Sequence, residues 1–134
     1  MIVVDASVLI AHLDDGDALH DRATALLLES AGVPIAASPL TLAEVLVGPA
    51  RAGRLEAAQA ALDALEVQEV PFGADAAARL ARLRATTRLK LPDCCVLLAA
   101  EDAAAERVLT LGRAAEQRGG RQRALTPAGS PRRL

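Results

Sequence analysis

A chain of 134 residues, 52% hydrophobic and 24% charged, is long enough for one domain with a buried core and too apolar to remain disordered. With one Phe and neither Trp nor Tyr, it cannot read bases by stacking them on aromatic side chains, so RRM- and OB-type recognition is excluded. The net charge of −2 is unevenly spread: residues 1–112 carry 9 basic and 16 acidic side chains, and residues 113–134 carry six arginines and one acid. An acidic body of this kind is no simple electrostatic DNA binder, and it leaves room for carboxylates that need a cation.

The two cysteines, Cys94 and Cys95, are neighbours. Adjacent cysteines seldom bridge in ordinary backbone geometry, and there is no CxxC pair for zinc. They read as small apolar residues of a buried helix in a reducing compartment. With no 18-residue apolar span and no basic leader, neither membrane insertion nor export is expected, and the expected location is the cytoplasm.

In chain order, Ile2–Val4 is a β-prone run and 6–13 turns helical directly after it. "DDGD" at 14–17 is a turn that starts a helix over 18–31, with Leu19, Ala23, Leu26 and Leu27 on one face and Gly32 at its end. A second strand is expected at 33–37. The next helix is opened by Pro39, carries Leu42, Val45 and Leu46 at helical spacing, and is closed by "VGPARAG". An Ala-rich helix follows at 55–65, a strand at 67–72, and a helix at 74–88 whose outer face holds Arg79, Arg82 and Arg84. "LKLPD" leads into an apolar helix at 94–105, and "RVLT" at 107–110 is another strand. A short helix at 111–118 and an edge strand at 123–126 complete the series, and 127–134 has the composition of a disordered basic tail. Short strands alternating with helices predict an α/β fold, with a mainly parallel sheet covered on both faces in a single domain over 1–126.

In such sheets ligands collect at the carboxyl ends of the strands. Asp5 stands at one, where an acid equally caps the following helix. Glu44 falls beside the apolar stripe of its helix, a place also taken by solvated glutamates. Asp93 follows Pro92 at a helix start, where the helix dipole alone would favour it. Each acid is ordinary by itself. If the three converge, they repel unless a hard divalent cation neutralises them, which suits Mg²⁺ or Mn²⁺.

"MIVVDASVLIAHL", "SPLTLAEVLVG", "LPDCCVLLAA" and "VLTL", in this order, resemble the PIN-domain ribonucleases and more narrowly the VapC toxins of bacterial type II toxin–antitoxin pairs. The resemblance covers about 1–126 and implies a three-layer α/β/α sandwich. It also implies Mg²⁺- or Mn²⁺-dependent endonucleolytic cleavage of RNA leaving a 5′-phosphate, a VapB-type antitoxin partner and a homodimer. Carried over by position, Asp5, Glu44 and Asp93 are the catalytic acids, Asp5 and Asp93 the metal ligands, and Ser7 and Thr110 their supports. The family's fourth acid is missing: Thr110-Leu111-Gly112 stands where Thr-x-Asp is usual. Glu101, Asp102 or Glu116 are the substitutes at hand, although Glu101 and Asp102 are expected to face water. The loss motivates a rival reading, a catalytically weakened module that binds RNA or antitoxin.

His12 and His20 are expected at helix ends and not as ligands. Arg51, Arg54, Arg84, Arg88, Lys90 and Arg113 flank the acidic segments and are candidates for phosphate contact, as are the tail arginines 118, 121, 123, 132 and 133. A haloacid-dehalogenase-type phosphotransferase also begins with a strand ending in Asp. It wants a second Asp where this chain has Ser7.

Overall fold

The computed structural model describes residues 1–111 in full and the backbone of 123–125. Five strands, β1 (Ile2–Val4), β2 (Ile35–Ala37), β3 (Gln68–Glu69), β4 (Arg107–Thr110) and β5 (Arg123–Leu125), form one sheet in the order β3-β2-β1-β4-β5. β1 lies parallel to β2 (Val3 opposite Ala36) and to β4 (Val3 opposite Val108), β2 is parallel to β3, and only the edge strand β5 is antiparallel. The expected mainly parallel α/β architecture is therefore present.

The period of two along the strands sorts the core into two halves. Ile2, Val4, Ile35, Ala37 and Leu109 point to one face, where they meet Val8 and Leu9 of α1 (Ala6–Leu13), Ala23 and Leu26 of α2 (His20–Glu29), and Val45 of α3 (Pro39–Arg51). Val3, Ala36 and Val108 point to the other and meet Val96, Ala99 and Ala100 of α6 (Leu91–Asp102). Every residue from Cys94 to Ala100 is buried, because α5 (Ala76–Thr86) and α3 cover the sides of α6 that the sheet does not. An all-round apolar helix is the sequence signature of such a position.

Several boundaries differ from expectation. α2 runs over His20–Glu29 and not 18–31, since Asp17 accepts from the Leu19 N–H and holds 17–19 in a turn. α3 ends within "VGPARAG" as expected, but past Gly48 and Pro49. Pro49 sits inside it, two residues before its end, and Gly53 at φ +70° turns the chain instead. α4 (Leu55–Ala64) follows as expected. The strand expected at 67–72 keeps only two exposed residues, Gln68 and Glu69, paired to β2 alone. α6 starts at Leu91, with Pro92 and Asp93 in its first turn, and ends at Asp102, where Ala104 at φ +50° reverses the chain into β4. The helix expected at 111–118 and the tail 127–134 lie outside the described residues, and no described helix is long and apolar enough to cross a membrane.

Candidate active site

Asp5 stands at the end of β1 and caps the helix that follows. Its N–H donates to Leu109 O at 3.1 Å, which holds it at the carboxyl end of β1 beside β4. Its backbone is still extended (φ −91°, ψ 172°), and its Oδ1 accepts from the Val8 N–H at 3.4 Å, so it is also the N-cap of α1. The Ser7 hydroxyl donates to the same Oδ1 and accepts from the Leu111 N–H at 3.0 Å. One serine thus ties the carboxylate to the chain leaving β4. The Thr110 side chain, buried at the end of β4, also hydrogen-bonds Asp5. Burial raises the Asp5 carboxyl above its ordinary value, and the bonds from Ser7, Thr110 and Val8 pull against that rise without cancelling it.

Glu44 reaches the same end of the sheet by another route. Ser38, just past β2, caps α3 by accepting from the Thr41 N–H at 3.1 Å. Thr41 and Val45 then face the core, which leaves Glu44 on the solvent flank of α3. Its carboxyl is raised by desolvation first, then by the negative charges of Asp93 and of Asp5. The three acids therefore share one electrostatic field.

Asp93 is placed by the direction of α6. The exit of α6 lies at the amino end of the sheet, where the Glu106 N–H donates to Met1 O at 2.9 Å. The first turn, with Asp93, points toward the carboxyl ends. Among the described residues, no three carboxylate, imidazole or thiol groups stand close enough to enclose an ion unaided. Asp5, Glu44 and Asp93 offer oxygen atoms of like charge, a chemistry that would suit a hard cation keeping much of its own water.

Other side chains fall away from this centre. Glu101 and Asp102 are held by Arg79 at 3.1 and 2.7 Å, with Asp75 3.8 Å from the same guanidinium. They lie eight and nine residues along α6 from Asp93, about 12–14 Å at the helical rise. Neither takes the place of the missing acid, while Gly112, Arg113 and Glu116 lie outside the described residues. His20 Nδ1 donates to Ala11 O at 2.9 Å, His12 Nδ1 pairs with Thr24 Oγ1 at 2.8 Å, and the two rings stack 6.0 Å apart. They fasten α1 to α2. Cys94 and Cys95 are buried free thiols, both raised chiefly by desolvation. Beside Glu44, a groove of about 610 Å³ opens between α1, α3 and α4, floored by Leu13, Val45 and Ala61 and edged by Asp14, Asp15 and Arg54.

Sequence reasoning missed the Arg79 cluster, although the Asp75–Arg79 spacing of four residues was a signal for part of it. It also missed the stacked imidazoles, for which no local signal exists.

The chain belongs to the PIN domain family, whose sequence pattern matches residues 2–120. Its fold is similar to that of a toxin–antitoxin complex from Klebsiella pneumoniae, at 28% identity and a TM-score of 0.66, covering 84% of this chain and 87% of that one. It is also similar to the sarcin–ricin-loop-cleaving toxin VapC20 of Mycobacterium tuberculosis, with 19% identity, a TM-score of 0.69 and coverage of 92% and 99%. VapBC2 of Rickettsia felis, bound to a DNA fragment from its promoter, matches at 18% identity and a TM-score of 0.61, covering 87% and 92%. No curated protein sequence matches the chain.

Proposed function

We propose that this protein is the toxin of a type II toxin–antitoxin pair, a Mg²⁺- or Mn²⁺-dependent endoribonuclease that leaves 5′-phosphate ends. The observation that carries the reading is the Glu44 carboxyl, raised by the charges of Asp93 and Asp5 from two other elements, in a chain of the PIN family. Asp5 and Asp93 would hold the cation, which when bound supplies water of lowered pKa and charge neutralisation at the scissile phosphate. Glu44, raised from its ordinary value, orients the attacking water and takes its proton. Ser7 and Thr110 keep the Asp5 carboxylate from turning toward solvent, which fixes where the phosphate must sit. A VapB-type antitoxin, a homodimer and a cytoplasmic location belong to the same proposal. The toxin–antitoxin complex from Klebsiella pneumoniae, similar along most of both chains, supports the partner.

The test is incubation with structured RNAs in Mg²⁺, in Mn²⁺ and in chelator, beside Asp5→Ala and Asp93→Ala. Cleavage confined to the metal-containing wild-type reactions, with 5′-phosphate ends, is the expected result. Cleavage in chelator sinks the metal mechanism. One observation favours a second reading: Gly112 stands where a fourth acid is usual. Absence of cleavage on every RNA, with no growth arrest on expression, would favour the weakened binding module instead.

A further inference from the structure

Nine cations occur in residues 1–112, and their fates differ. Arg79 is consumed by three acids, and Arg107 donates to Ser30 Oγ at the amino end of the sheet. Four others crowd into residues 82–90, and no acid interrupts the chain between Asp75 and Asp93. Arg84, Arg88 and Lys90 are exposed, and none enters an ion pair among the described residues.

The turn that carries two of them is built and not loose. The Thr87 hydroxyl donates to Leu83 O at 2.6 Å and accepts from the Leu89 N–H at 3.2 Å, and the Cys94 thiol approaches Leu89 O at 3.8 Å. Thr87 and Leu89 are half-buried and alternate with the exposed Arg88 and Lys90 along a backbone held by these bonds. Lys90 is the residue before α6, three positions from Asp93. Arg79 of α5 meets Glu101 and Asp102 at the far end of α6, so Arg84, five residues later in α5, lies toward the Asp93 end of the pair.

We propose that Arg84, Arg88 and Lys90 form a phosphate-binding ridge along which single-stranded RNA backbone is led onto Asp93. The proposal rests on the nuclease reading for its substrate and on the turn geometry for its place. Outside 82–90, residues 1–112 carry 16 acids and five cations, so this stretch is the part of the body most open to phosphate. Arg82, on the same helix, is turned about 160° around the axis from Arg84 and takes no part.

The test is fluorescence anisotropy of a labelled single-stranded RNA of mixed sequence with the full chain in EDTA, across a salt series, with cleavage in Mn²⁺ scored separately. Arg84→Gln, Arg88→Gln and Lys90→Gln combined should weaken binding at least tenfold at moderate salt. The slope of log affinity against log salt should flatten by about two, as expected for three phosphate contacts on a single strand. Arg82→Gln should stay within twofold of wild type, and Arg84→Lys with Arg88→Lys should restore most of the binding. A triple variant that folds and binds within twofold of wild type with an unchanged slope overturns the ridge, as does an equal loss from Arg82→Gln or no RNA binding by wild type. Wild-type binding without cleavage, lost in the triple variant, overturns the nuclease reading and leaves the ridge standing.

Discussion

Asp5 is both helix cap and proposed ligand, and two substitutions separate the roles. Asp5→Ala removes the acceptor of the Val8 N–H and of the Ser7 hydroxyl. Loss of a cap together with a part-buried acceptor costs about 1–2 kcal/mol, which for a domain of this size is a fall in Tm of about 4–8 °C. Asp5→Asn keeps one oxygen acceptor for Val8 and Ser7, removes the charge and replaces the second oxygen by an amino group. Burial holds the Asp5 carboxyl above its ordinary value, so the fold disfavours the ionised form at neutral pH. Asn relieves that cost, and its Tm should equal or exceed that of wild type. Metal then reports the second role. At ten times its Kd, Mn²⁺ stabilises by about 1.4 kcal/mol, a rise of about 5 °C in wild type. Both variants should lose this rise. Thermal melts with and without Mn²⁺ decide the matter: an Asp5→Asn protein that keeps the Mn²⁺ response, or that falls as far as Asp5→Ala, refutes the assignment.

Ser7→Ala orphans the Leu111 amide and frees the Asp5 carboxylate, so it should cost about 1–3 kcal/mol and slow RNA cleavage; denaturant melts and initial rates measure the two. Glu101→Gln and Asp102→Asn should leave cleavage rates within twofold of wild type, because both acids are bound to Arg79 at the far end of α6. His12 is held below its ordinary pKa, first by burial and then by the charge of His20. The unfolded chain therefore binds more protons, and its stability contribution, full above about pH 6.5, falls as pH drops from there toward the folded value. The difference in Tm between wild type and His12→Gln should grow with pH across that window, and parallel curves would contradict it.

Much of the fold was legible because its strongest signals are local. Ile2–Val4, Ala6–Leu13 and Arg107–Thr110 are observed where patterning put them, and the fully apolar run from Cys94 to Ala100 announced a helix covered on all sides. Boundaries failed where tertiary contacts overrule propensity. Pro49 stands in the last turn of α3 although its missing N–H and its ring cost a bond in the turn before it, and β3, paired to β2 among the described residues, keeps two residues. The three acids could be nominated singly, but their shared field depends on which end of the sheet α6 turns toward, and that is set by the exit beside Met1. The fate of Glu101 and Asp102 was settled by Arg79, more than twenty residues earlier in the chain.

The claim that Asp5, Glu44 and Asp93 make one metal-dependent site rests most directly on Asp93, whose side chain makes no hydrogen bond among the described residues. Single-turnover cleavage of a structured RNA in Mn²⁺ by wild type and Asp93→Asn, with both shown to be folded, measures it. A loss of about 100-fold or more is predicted, the usual scale for removing one charge-stabilising group from an active site. A rate within threefold of wild type would contradict the site and the function drawn from it.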